Sequence, residues 1–119
     1  MEIPAPFGRL TTAMITPFKK DGEVDWSGVE KLAAHLVSKG HDGLVLNGTT
    51  GEAPTTSDDE KDEIIKVVRK AVGSKIKIIA GAGNNEPSHS VEQAKRAAKA
   101  GADALLVVTP YYNKPPQAG

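Results

Sequence analysis

The residues whose types and spacing can do chemistry fall in four short stretches, each directly after an apolar run. They are Thr16-Pro17, Asn47-Gly48-Thr49-Thr50-Gly51-Glu52, Gly81-Ala82-Gly83-Asn84-Asn85 and Thr109-Pro110-Tyr111-Tyr112-Asn113. The second stretch is the richest. Its two glycines let the backbone approach a ligand closely. Its adjacent hydroxyls, Thr49 and Thr50, can donate hydrogen bonds, and free amides at the start of a helix favour an anion. A carboxylate or phosphate is the natural guest of such a loop. The competing reading is a glycine-rich turn whose threonines satisfy only backbone groups, and Asn47-Gly48 is also a common hairpin dipeptide. Glu52 is placed to organise the loop by accepting backbone amides.

The fourth stretch holds the two tyrosines of the chain, Tyr111 and Tyr112. Adjacent aromatics at a strand end point to different sides. One hydroxyl can then serve proton transfer while the other ring packs at an interface; alternatively, both rings pack under a loop. Thr109-Pro110 restricts the backbone just before them. Gly81-Ala82-Gly83 opens like a dinucleotide fingerprint, but the third glycine position is Glu86, whose charge would repel a pyrophosphate. Turn chemistry explains that stretch better, and a small open nucleotide-binding sheet is disfavoured. His35, His41 and His89 lack the spacing of a metal site, and no metal is expected. His89 stands near the third loop and reads as a solvated residue at a helix start. The lysines and arginines are scattered, as on solvated helix faces.

Elements of a repeating kind must position these loops. The apolar runs Leu10 to Ile15, Gly43 to Leu46, Ile76 to Ala80 and Ala104 to Val108 read as strands buried on both faces. Trp26, Val29, Leu32, Ala33, Leu36 and Val37 fall at helical spacing after an Asp25 cap, with Gly40 as the stop. Ser57 and Glu60 form a capping box for a second helix with the stripe Ile64, Ile65, Val68 and Val72, stopped by Gly73. A third helix starts near Pro87-Ser88, carries Val91, Ala94, Ala97 and Ala98 on one face, and stops at Gly101. The order βαβαβαβ requires an α/β fold with parallel strands and right-handed crossovers. An open doubly wound sheet and a closed eight-stranded barrel both use this unit, and both bind ligands at the C-terminal strand ends, where the four stretches lie.

The 119 residues are enough for one domain. Fifteen basic residues balance fifteen acidic ones, so neither nucleic acid nor an anionic membrane is expected as a partner. The chain has no cysteine, which removes disulfides, thiolate metal sites and cysteine nucleophiles. Met1-Glu2-Ile3-Pro4 carries no basic region followed by an apolar core, so no export signal is expected. No apolar run is long enough to span a bilayer, and a cytoplasmic location is the default. The end, Lys114 to Gly119, reads as a loop leading into a further helix, so the repeat stops in mid-fold.

Gly48-Thr49-Thr50-Gly51-Glu52 after the second run, combined with Val108-Thr109-Pro110-Tyr111-Tyr112-Asn113-Lys114-Pro115 after the fourth, resembles the family of pyruvate-dependent class I aldolases that includes dihydrodipicolinate synthase and N-acetylneuraminate lyase. Thr12 to Phe18 and Ile79 to Asn84 are similar as well. The likeness covers nearly the whole chain but well under half of a family barrel, which takes about 250 residues. It implies that residues 1–119 are the N-terminal half of a (β/α)8 TIM barrel, with strands one to four and helices one to three. It implies condensation of pyruvate with aspartate semialdehyde through a lysine Schiff base, a step of lysine (diaminopimelate) biosynthesis. No cofactor is implied, and the full-length protein would be a homo-oligomer, dimer or tetramer.

By the same resemblance, Thr49 is the hydroxyl of a proton relay. Tyr112 is the relay tyrosine that reaches into a neighbouring subunit's site. Thr50 helps hold the pyruvate carboxylate, in a substrate site shared with Gly48 and Ala13. Tyr111, Asn85 and His89 fall at an interface and regulatory pocket. The Schiff-base lysine, the second relay tyrosine and a substrate-binding arginine would all come after residue 119, so this chain alone is expected to be inactive. Asp58, Lys61 and His89 depart from the two histidines and the glutamate of lysine-inhibited relatives, so weak or absent feedback inhibition by lysine is expected. Two other readings stay open: a sugar-acid aldolase or lyase of the same family, and a non-catalytic half-barrel that associates through two exposed sheet edges.

Overall fold

Each helix begins and ends on a local signal that the neighbouring side chains satisfy. The computed structural model describes residues 4–118; Met1 to Ile3, on which the export-signal expectation rests, and Gly119 lie outside the described residues. The strands are β1 (Thr11–Ala13), β2 (Gly43–Leu46), β3 (Lys77–Gly81) and β4 (Ala104–Leu106). The helices are α1 (Trp26–Ser38), α2 (Asp58–Val72) and α3 (Pro87–Ala100), with a 3-10 turn at Ala53–Thr55. Asp25 Oδ1 caps α1 by accepting from the Gly28 amide at 3.0 Å. Ser57 Oγ accepts from the Glu60 amide at 3.1 Å, and Glu60 Oε2 accepts from the Ser57 amide at 2.7 Å. Three acids open α2 and Arg69 and Lys70 close it, as the helix dipole favours. Gly101 ends α3 at φ 116°, a conformation that glycine adopts without strain.

The four strands form one parallel sheet in the order β1-β2-β3-β4. That order decides between the two architectures. A doubly wound sheet reverses direction at a switch point and places helices on both faces. Here every crossover adds its strand on the same side, α1 packs on α2, and α2 packs on α3. The arrangement is a segment of barrel wall with helices outside. Its core lies between sheet and helices. Leu44, Leu46, Ile78 and Ala80 meet Val29 and Ala33 of α1 and Ile64, Ile65 and Val68 of α2. Full burial of each large aliphatic side chain contributes about 1.5–3 kcal/mol.

The outer strands depart from the expectation of burial on both faces. β1 and β4 are shorter than their apolar runs, and Leu10, Ile15 and Leu105 to Val108 are exposed. A strand extends only as far as its partner pairs with it, and each edge has a partner on one side alone. The apolar face of α3 is also narrower than predicted. Ala97 is buried, whereas Val91 is 55% exposed and Ala98 is exposed.

Arg69 joins the far ends of these elements. Its guanidinium donates to the carbonyls of Gly101 (2.8 and 3.1 Å), Gly73 (2.9 Å) and Ile76 (2.9 Å), and it pairs with Asp103 at 2.5 Å. Asp103 Oδ2 also accepts from the Ile78 amide at 2.9 Å, and its pKa is lowered by that bond and by Arg69 against an opposing burial effect. The reading of the basic residues as scattered on solvated faces therefore fails for Arg69, because its partners are carbonyls of the α2–β3 and α3–β4 connections and the Asp103 carboxylate. Arg69→Ala is expected to cost about 2–3 kcal/mol in urea denaturation, since several carbonyls lose their donor together. Arg69→Lys should recover little of this, because an ammonium cannot reproduce the planar fork.

Candidate functional site

The loop after β2 is shaped by two non-glycine residues in the left-handed region, Asn47 and Glu52, both at φ 57°. Asparagine tolerates this conformation better than most residues, through its short polar side chain. Asn47 is buried, and its Nδ2 donates to the Lys61 carbonyl at 3.1 Å, which ties the strand end to α2. Its Oδ1 is buried with no partner among the described residues. The loop then closes on itself. The Glu52 amide donates to the Thr49 carbonyl at 3.0 Å and the Ala53 amide to the Gly48 carbonyl at 3.2 Å. Buried Thr16 Oγ1 donates to the Gly51 carbonyl at 2.7 Å. Glu52 organises the loop through its backbone, and its side chain is exposed.

Two sequence readings of this loop change. Asn47-Gly48 is not a hairpin turn, because β2 and β3 are parallel. The loop also does not run straight into a helix, because the 3-10 turn intervenes. The first amides of α2 are partly satisfied by Ser57, so the anion-binding argument loses its helix-start component and rests on the loop itself.

The Gly81-Ala82-Gly83 stretch serves close packing. A Cβ on Gly81 would lie 2.1 Å from the Asn47 carbonyl oxygen, and one on Gly83 would lie 2.6 Å from the Val108 amide nitrogen. These glycines let the second and fourth loops lie against the third. The result is a cavity of about 520 Å³ at the C-terminal strand ends, lined by Gly48, Thr49, Val107, Val108 and Tyr111 among others. A second cavity of about 480 Å³ lies beside it and is lined by Lys61, Asn85, His89 and Tyr111. Asn47, Ala53, Pro54, Gly81, Gly83 and Tyr111 line both.

The structure therefore brings together some of the expected site residues and not others. Gly48 and Thr49 share a cavity with Tyr111, while Asn85 and His89 share the adjoining one with the same tyrosine. Thr50 is exposed, as is Ala13 at the end of β1, and neither lines these two cavities. Tyr112 is 91% exposed, lines neither cavity and holds φ at 68°. A bulky residue in that region carries strain on the order of 1–3 kcal/mol.

The second cavity holds a polar network that the sequence did not reveal. His89 Nε2 lies 2.7 Å from Asp58 Oδ2, Gln93 Nε2 donates to Asp58 Oδ1 at 3.0 Å, and His89 Nδ1 lies 2.6 Å from Asn84 Nδ2. His89 is thus partnered rather than merely solvated. Hydrogen bonds from Gln93 and His89 hold the Asp58 carboxyl below its ordinary range, and Asp58 raises the His89 imidazole. Stability from the carboxylate is present above the unfolded Asp value and is lost as pH falls through the lowered pKa. Stability from the imidazolium is present below the unfolded His value and is lost as pH rises through the raised pKa. Lys61 also departs from the solvated reading. It is half-buried, its Nζ donates to the Thr56 carbonyl, and desolvation lowers its pKa against the opposing charges of Asp58 and Glu60.

Comparisons with known proteins agree with this architecture. Residues 6–119 match the Dihydrodipicolinate synthetase family, and the chain belongs to that family. It is 59% identical over 116 residues to a 4-hydroxy-tetrahydrodipicolinate synthase of Acidothermus cellulolyticus, covering 98% of this chain and 38% of the relative. It is 57% identical over 114 residues to a second such synthase of Streptomyces coelicolor, covering 96% and 38%. Among solved structures, the lysine-bound dihydrodipicolinate synthase of Cyanidioschyzon merolae superposes with a TM-score of 0.89 at 50% identity, covering 95% of this chain and 39% of that one. That of Bacillus anthracis gives 0.90 at 41%, covering 95% and 39%. The chain thus spans less than two fifths of the length of these relatives.

Packing at Gly81 gives a direct test of how the threonine loop is held. Gly81→Ala is expected to cost about 1–3 kcal/mol in urea denaturation and to shift the amide resonances of Gly48, Thr49 and Thr50. Gly48→Ala is expected to change stability little, because its added Cβ would meet only Val45 Cγ1, at 3.6 Å.

Proposed function

We propose that this chain supplies the substrate-carboxylate grip and part of the proton relay of a pyruvate-condensing class I aldolase, a 4-hydroxy-tetrahydrodipicolinate synthase. The observation that carries this reading is the shared cavity in which the threonine loop and the tyrosine stretch meet at the C-terminal strand ends. In this reading Thr49 passes a proton through its hydroxyl, and Thr50 and Gly48 hold the carboxylate of pyruvate with Ala13 near them; the lining of the cavity by Gly48 and Thr49 supports it. The strained, exposed Tyr112 suits a residue that acts in another subunit's site, and Tyr111 suits an interface. Pyruvate and aspartate semialdehyde are the substrates in this reading, and the intact parent is a cytoplasmic homo-oligomer. Among the described residues no helix is long and apolar enough to cross a membrane.

The amine that would bond pyruvate is assigned to the part of the parent that follows residue 119, so residues 1–119 form one portion of a longer catalytic domain. The exposed edges of β1 and β4 also support the reading of a half-barrel that associates with a further set of strands. Borohydride reduction in the presence of pyruvate separates these statements. The intact parent is expected to gain the mass of a reduced pyruvate adduct and the 119-residue chain to gain none. An adduct on the short chain would overturn the placement of the amine, and an unmodified parent would overturn the reaction.

The second cavity bears on regulation. A lysine ligand would bring an ammonium towards Lys61, and Asp58 is already engaged by His89 and Gln93. Weak or absent inhibition of the intact parent by added lysine is therefore expected in a steady-state assay. Strong inhibition at sub-millimolar lysine would contradict it.

A further inference from the structure

The hydrogen bonds around Asn84 leave one orientation for its carboxamide. Asn84 Oδ1 accepts from the Glu86 amide at 2.7 Å and lies 3.3 Å from Ser90 Oγ. The Asn84 amide donates to Ser90 Oγ at 3.0 Å. Nδ2 is thereby turned to His89 Nδ1 at 2.6 Å. An amide NH2 only donates, so Nδ1 must accept, and the imidazole carries its hydrogen on Nε2, where it donates to Asp58. This tautomer leaves the ring neutral. A second proton on Nδ1 would set N–H against N–H at that short distance, and reversal of the carboxamide relieves the clash. Oδ1 then faces the imidazolium, and the Glu86 amide loses its acceptor.

We propose that Asn84 and His89 form a proton-operated latch at the start of α3, in which protonation of Nδ1 reverses the Asn84 carboxamide and releases the Glu86 N–H. The surrounding charges pull in both directions. Asp58 of α2, Glu86 at the helix cap and Glu92 of α3 favour the proton. The Lys61 ammonium of α2, in the same cavity, and burial oppose it, and Gln93 and Tyr111 line that cavity as neutral groups. The Asn84 NH2 is the opponent that must move. Its motion has a route outward, because the Asn85 carbonyl accepts from Asn113 Nδ2 at 3.0 Å, directly after the tyrosine pair. The latch uses no residue of the threonine loop and stands whichever reaction the parent catalyses.

Nuclear magnetic resonance of the 119-residue chain tests this from about pH 5.5 to about pH 9, a range that brackets an ordinary imidazole. The Glu86 amide is expected to shift with the same midpoint as the His89 ring nitrogens, and to exchange its hydrogen faster below that midpoint. In His89→Gln the Glu86 titration should vanish. In Asn84→Ala the His89 midpoint should rise by about one unit, the scale of one net hydrogen bond, and Glu86 should no longer follow it. A Glu86 amide that stays flat while His89 titrates would overturn the latch, as would an unchanged His89 midpoint in Asn84→Ala. Should that variant fail to fold, the co-titration in the unmodified chain and its loss in His89→Gln decide the matter.

Discussion

The Asn47–Gly48 peptide lies against Gly81 at a separation that leaves no room for a Cβ, and the geometry at the C-terminal ends of the strands follows from that contact. Because the third strand yields space there, the second can turn outward through a left-handed asparagine instead of continuing into its helix. The turn hands the chain to a loop closed by its own carbonyls and by Thr16. Thr49 thereby borders a cavity that Tyr111, from the stretch after the fourth strand, also lines. A glycine on one strand thus sets the path of the loop that leaves another. Asn47 Oδ1 has no protein partner among the described residues, and an acceptor left unsatisfied in a buried turn costs about 1–3 kcal/mol.

Opposite ends of the sheet are organised by different means. The C-terminal strand ends are built from glycines and close backbone contacts that leave cavities. The far end is bound by a single guanidinium that gathers three carbonyls from two connections. Rigidity at one end and open volume at the other suit a scaffold that presents loops. Between them, Tyr111 and the two glycines form a common wall for two cavities of similar size but different chemistry. One is lined by valines and the threonine loop, the other by Asp58, Lys61 and His89.

Much of this was legible in the residues. The helices were, because their signals are local: Asp25, the Ser57–Glu60 box, Pro87 and the stopping glycines act within a few residues of the boundaries they set. The strand limits were not, because Ile15, Val107 and Val108 are apolar enough for a strand but have no ladder partner among the described residues, and Leu10 bonds only to Asp42 and Gly43 at the start of β2. The threonine loop and the tyrosines stood out by composition. Asp58 and His89 did not appear as partners because they come from different helices, and only the packing of α2 on α3 brings them together. Lys61 looked like any surface lysine, since nothing in its neighbours announces that the end of its side chain is half enclosed.

The strand order carries a consequence for how the chain is made. Each strand pairs with the one before it, so no pairing in this sheet has to wait for a distant segment. Synthesis delivers the units in the same order in which they dock. Once β1 and β2 have joined over α1, their outer edge is a template for β3, and β3 for β4. The growing edge is always the most recently made strand. An assembly that extends only at its newest edge can emerge and fold in step with translation, each unit covering the apolar surface left by its predecessor.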